Sequence, residues 1–73
     1  MDIEGDEMIS IYDIQQLLKK FGTIIYTGDR IADLQLMQDE LRELNQSQLI
    51  DPQDYQTALF LLKQEIQKEI NKK

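Results

Sequence analysis

Cysteine, histidine and tryptophan are all absent from this chain of 73 residues, which also holds only one proline and three glycines. Without cysteine there is no disulfide, no thiolate nucleophile and no sulfur-ligated zinc site. Without histidine the usual general base near neutral pH and the commonest transition-metal ligand are both missing. No apolar run approaches the roughly 18 residues that a membrane span needs. The start of the chain, Met1 to Glu7, is acidic and so unlike the basic beginning of a secretory signal. These absences predict a soluble, cytoplasmic protein that does not associate with membranes, and a reducing compartment is compatible with them.

What is present fits one small domain. At this size a single core rarely supplies more than about 3–5 kcal/mol of net stability, so function has to come from a compact surface, helped where needed by self-association. The formal net charge of −6 is unevenly placed. Asp2, Glu4, Asp6 and Glu7 contribute four negative charges before any helix signal. From residue 11 onward there are ten acidic and eight basic residues, and the last eleven residues carry four lysines against two glutamates. The body is nearly balanced, and the overall charge alone overstates the case against a nucleic-acid partner.

The pattern predicts an all-α fold: a disordered acidic segment over 1–7, then a three-helix bundle over 8–73. The first helix spans about 10–21. Ser10 is a good N-cap with Asp13 at capping-box spacing, and Ile9 and Ile14 have the spacing of a hydrophobic staple. Ile14, Leu17, Leu18 and Phe21 form one apolar face, Lys19 and Lys20 suit the negative end of the helix dipole, and Gly22 is a left-handed stop. The second helix spans about 29–45, capped by Thr27, Gly28 or Asp29. Its apolar positions are Ile31, Leu34, Met37 or Gln38, Leu41 and Leu44. The third spans about 51–70. Asp51 is its cap, Pro52 sits at the first helical position, and Ile50 and Tyr55 stand at staple spacing. Tyr55, Ala58, Leu59, Leu62, Ile66 and Ile70 line one face. No segment alternates with strand period over a useful length, and three amphipathic helices with short connections make a small bundle.

The segment Tyr12-Asp13-Ile14-Gln15-Gln16-Leu17-Leu18-Lys19-Lys20-Phe21-Gly22, followed by Ile25-Tyr26-Thr27-Gly28-Asp29-Arg30, resembles the YqgQ-like family of small bacterial proteins. Leu36-Met37, Glu40-Leu41, Leu49-Ile50-Asp51, Asp54-Tyr55 and Ala58 continue the resemblance, which runs over about residues 8 to 68. The Ile-Tyr-Thr-Gly-Asp-Arg block is its most distinctive part. The resemblance implies a three-helix bundle and a role in binding single-stranded nucleic acid. It supplies no catalytic residues, and residues 1–7 precede the matching segment.

The stretch from Phe21 to Arg30 is unusual for a connection, because loops between helices are mostly polar. One expectation is structural: Ile24 and Ile25 plug the end of the bundle, Tyr26 packs over them, and the glycines permit tight turns. The other is functional. Tyr26 then serves as a stacking platform, with Lys19, Lys20 and Arg30 holding phosphates. Base stacking of this kind is worth about 1–3 kcal/mol and tolerates any sequence. The start of the second helix, with Thr27 and the Gly28 amide, attracts anions, but Asp29 competes for that place.

Gly28-Asp29-Arg30 lacks the spacing and lysine of a P-loop. Asp29 and Asp33 share a face, whereas Asp39 and Glu40 turn away from each other, so these carboxylates read as a solvated helix face and no metal site or cofactor is expected. Ser10 and Ser47 have no histidine partner, and a domain this small seldom encloses a deep pocket, so no enzyme activity is expected. Leu36, Phe60 and Leu61 fall beside or behind the core faces. They are either part of a wide apolar face or a patch for a protein partner or a second copy. The reading is therefore a binding protein: for single-stranded nucleic acid through Lys19, Lys20, Tyr26 and Arg30, or alternatively a protein-interaction module, in one form a homodimer.

Overall fold

A computed structural model describes residues 10–72, which fold as α1 (Ile11–Lys20), α2 (Arg30–Gln46) and α3 (Pro52–Asn71). The fold is all-α, as the pattern predicts. The acidic segment 1–7, expected to be disordered, lies outside the described residues, as do Met8 and the staple residue Ile9.

Each helix begins where its cap predicts. The Ser10 hydroxyl accepts the Asp13 amide at the start of α1 (3.4 Å). Of the three candidates at the start of α2, Asp29 is the cap: its carboxylate accepts the Ile31 and Ala32 amides at 3.0 and 3.2 Å. Asp51 occupies the cap position of α3 with Pro52 behind it, but its side chain makes no capping hydrogen bond. Proline at the first helical position has no N–H to satisfy and a φ already suited to the helix, so it favours the start of α3 without a capping bond.

The first two helices end alike. At the end of α1 the Thr23 amide bonds to Leu18 O and the Gly22 amide to Lys19 O, while Gly22 adopts φ 86°. At the end of α2 the Leu49 amide bonds to Leu44 O and the Gln48 amide to Asn45 O, with Gln48 at φ 61°. Both are Schellman closures, in which a left-handed residue lets the chain satisfy the last carbonyls of the helix.

The core is formed by Ile14 and Leu18 from α1, Leu34, Met37 and Leu41 from α2, and Ala58 and Leu62 from α3. α2 and α3 make the most extensive helix pair, and α1 packs across both. Ala58 allows the close approach of α3, because a residue with no side chain beyond Cβ lets neighbouring helices come near. Ile11, Leu17, Ile25, Leu44, Ile50, Tyr55, Leu61 and Ile66 pack around this centre. Ile50 and Tyr55 thus meet the core together, as their staple spacing predicts. Leu61 belongs to a widened apolar face of α3, whereas Leu36 and Phe60 are exposed.

Three expectations need correction. Phe21 is not a core residue: it sits beyond the last turn of α1 as its C-cap and is exposed. Ile70, near the free end of the longest helix, is about half exposed, since α3 runs past what the shorter helices cover. Asp33 is not on a solvated face. It is buried, and its place is explained below.

Candidate functional site

The connection from Phe21 to Asp29 is held from inside by side chains of α2. Thr27 donates to one oxygen of Asp33 twice, from its amide (2.7 Å) and from its hydroxyl (2.6 Å). The same hydroxyl oxygen accepts the Asp29 amide (3.2 Å). At the other end of the segment the Thr23 hydroxyl donates to Glu40 Oε1 (3.4 Å). Gly28, at φ 91°, makes the reversal between Thr27 and the Asp29 cap in a backbone region that other residues avoid. Nothing stands near the place a Cβ would occupy there, so the requirement comes from the backbone alone.

These bonds explain the burial of Asp33. A buried carboxylate is tolerated when charge-assisted hydrogen bonds replace its water, and Asp33 has two short ones. The residue lies on the row Asp33, Met37, Leu41, each four positions apart and each buried. That row, together with a threonine six residues upstream, is the signal by which the sequence could have revealed it.

The segment 23–27 is neither helix nor turn, and its side chains alternate. Thr23 and Ile25 are half-buried, with Ile25 packed on the core. Ile24 is 78% exposed and Tyr26 85% exposed. An extended chain sends successive side chains to opposite sides, so with Thr23 and Thr27 bonded inward and Ile25 in the core, Ile24 and Tyr26 share the outer side. The expected plug is thereby corrected. Ile25 alone turns inward, Ile24 faces solvent, and Tyr26 does not cover either of them.

Lys19, Lys20, Tyr26 and Arg30 are all exposed. Lys19 lines a groove of about 240 Å³ together with Gln15, Gln16, Thr23, Ile24 and Ile25, with Leu18 and Met37 at its base. The structure thus brings Lys19 to the loop. Tyr26 follows the groove-lining pair Ile24 and Ile25 in the chain. Arg30 is directed elsewhere: its guanidinium pairs with Glu65 of α3 at 3.6 Å, and Lys68 approaches the same carboxylate at 3.9 Å. The first amides of α2 are taken by the Asp29 carboxylate, which occupies the position an anionic ligand would use. Gln15 and Gln16 are groove residues that sequence reasoning missed. As polar positions on an amphipathic helix they carry no distinguishing signal.

Among the described residues no three acidic side chains gather as metal ligands would, and no helix is long and apolar enough to cross a membrane. The fold and this surface define a small all-α three-helix protein with an apolar, outward-facing corner between its first two helices.

The sequence model of the YqgQ-like family matches residues 8–68, and the chain belongs to that family. It is 41% identical to the uncharacterized protein YqgQ of Bacillus subtilis (strain 168) over 64 residues, which is 88% of this chain and 90% of that protein.

Proposed function

We propose that this protein is a non-enzymatic, cytoplasmic binding module whose ligand is single-stranded nucleic acid, held by stacking at the corner between α1 and α2. The observation that carries this reading is Tyr26: an aromatic ring 85% exposed on a segment whose two ends are tied to the helices. A ring presented on a fixed backbone offers a base its face with little conformational entropy to lose. The groove lined by Ile24 and Ile25, the neighbours of Tyr26 in the chain, adds the amides of Gln15 and Gln16 and the ammonium of Lys19, and the exposed Lys20 follows as a further cation in this reading. Arg30 enters this reading as a weaker contact, since binding a phosphate would draw it from Glu65.

With two lysines as the main phosphate contacts, the logarithm of affinity should fall with the logarithm of salt at a shallow slope, about −1 to −2. A titration of a labelled single-stranded oligonucleotide at two salt concentrations measures this. Binding at low salt, weakened about tenfold or more by Tyr26→Ala, supports the reading, and absence of binding at low salt refutes it.

Phe60 favours a second reading. It is 61% exposed on α3, and an apolar aromatic side chain on a helix surface suits a protein partner. On this reading an association, measured by sedimentation across a concentration series, disappears in Phe60→Asp.

A further inference from the structure

We propose that the segment 23–27 is a self-complementary pairing edge, through which two copies of this chain associate antiparallel about Ile25. This inference rests on the backbone and is independent of the nucleic-acid reading.

Along an extended chain the peptide groups alternate between the two edges, just as side chains alternate between faces. The Thr23 amide is bonded to Leu18 O (2.9 Å) and the Thr27 amide to Asp33 (2.7 Å). The odd-numbered residues therefore turn their peptide groups toward their own protomer. On an extended segment 23–27 the N–H and C=O groups of Ile24 and Tyr26 then point to the opposite edge. Among the described residues, none forms a hydrogen bond with the backbone of Ile24, Ile25 or Tyr26. Exposed edges are normally blunted by a charge, a proline or a bulge. Residues 21–28 contain no charged residue and no proline, and β-branched and aromatic residues fill positions 23–27, a composition suited to a strand.

The sequence of the edge selects a second copy as its occupant. Antiparallel pairing about Ile25 sets Thr23 opposite Thr27 of the second copy, Ile24 opposite its Tyr26, and Ile25 opposite its Ile25. Threonine pairs and aromatic–β-branched pairs are those that stabilise neighbouring strands. In this register Ile24 and Tyr26 face each other as hydrogen-bonded pairs, and their free N–H and C=O groups form four inter-strand bonds across the two-fold axis. Centring the pair on Ile24 sets Tyr26 against Gly22, and centring it on Tyr26 sets Ile24 against Gly28; only the Ile25 centre opposes every strand-forming side chain with another. The Ile24 and Tyr26 side chains of both copies then lie on one open face. A ribbon this short is marginal by itself, so the association is weak and visible only at high concentration.

Sedimentation equilibrium of the full chain from micromolar to millimolar concentration tests this. The expected result is a mass rising from monomer toward dimer. Ile24→Pro deletes one outward donor per copy while keeping Thr23 extended, and should weaken association about tenfold or more; circular dichroism confirms that the variant is folded. Phe60→Asp should leave the association unchanged. A chain that is monomeric at millimolar concentration overturns the proposal. So does an association that survives Ile24→Pro but disappears in Phe60→Asp, which places the contact on α3 instead.

Register is tested in the same protein, which has no native cysteine. Directly opposed hydrogen-bonded residues have Cα atoms about 5.5 Å apart, within reach of a disulfide. A mixture of Ile24→Cys and Tyr26→Cys chains should cross-link on mild oxidation several-fold faster than either variant alone. Equal or faster cross-linking of the unmixed variants overturns the pairing.

Discussion

The two connections of this bundle start from the same device and come to different ends. Each leaves its helix through a Schellman closure with a left-handed residue, Gly22 in one and Gln48 in the other. Each enters the next helix through an aspartate. The turn between α2 and α3 is then closed by proline and by the packing of Ile50 and Tyr55. The connection between α1 and α2 is longer, and it is held by side-chain hydrogen bonds from Thr23 and Thr27 to α2 and by the Asp29 cap. Polar bonds on the inner side leave apolar residues free to face outward. That is why a corner rich in isoleucine and tyrosine adds little to the core and presents them to solvent instead.

Removing the polar anchor should break the difference most strongly. Asp33→Ala deletes the acceptor of two charge-assisted bonds and should destabilise the protein by about 2 kcal/mol, lowering the thermal midpoint by roughly 8–16 °C. Asp33→Asn, which keeps an acceptor, should lose less, and urea denaturation orders the two.

The caps come next. Asp29→Ala should cost about 1 kcal/mol, because two amides lose their partner. Asp51→Ala, whose side chain makes no capping bond, should stay within about 0.5 kcal/mol of the parent. Equal effects at the two positions would erase the contrast between the corners.

A smaller effect of opposite sign is expected at the second corner. Gln48 holds a positive φ that glycine adopts without strain, so Gln48→Gly should raise stability by about 0.5–1 kcal/mol. The converse change, Gly22→Gln, should lower it by a similar amount.

The smallest effect is at Arg30. Its ion pair with Glu65 is partly exposed, with the arginine side chain 42% accessible. Arg30→Met should cost no more than about 0.5 kcal/mol, and that cost should shrink as salt rises. A double-mutant cycle with Glu65→Gln isolates the pair.

How legible these features are in the sequence follows from the range of the forces that set them. Caps and stops act within a turn or two, so Ser10, Gly22 and the Asp51-Pro52 pair mark helix boundaries from local chemistry alone, while for α2 that chemistry narrows the cap to Thr27, Gly28 or Asp29 and the structure selects Asp29. The core faces follow from helical periodicity, and Ile14, Leu18, Leu34, Leu41, Ala58 and Leu62 are all buried where it places them. The direction of Ile24 is different. It depends on bonds that Thr23 and Thr27 make to Glu40 and Asp33, seventeen and six positions along the chain; the nearer leaves a trace in the buried row Asp33, Met37 and Leu41, and the farther leaves none. Lys19 and Arg30 look equivalent as nearby cations in the sequence, yet one borders the groove and the other pairs with α3. The partner of Arg30 lies thirty-five positions along the chain, which only the packing of α2 on α3 can reveal.

The central claim is that Ile24 and Tyr26 are displayed, not structural. The most direct test is the unfolding free energy, from urea denaturation, of the double variant Ile24→Ser and Tyr26→Ser in the full chain, measured at a concentration where the protein is monomeric. Exposed side chains predict stability within about 0.5 kcal/mol of the parent per substitution. A loss of about 3 kcal/mol or more, the magnitude expected when large buried apolar side chains are truncated, would show that the corner is part of the core and contradict the account.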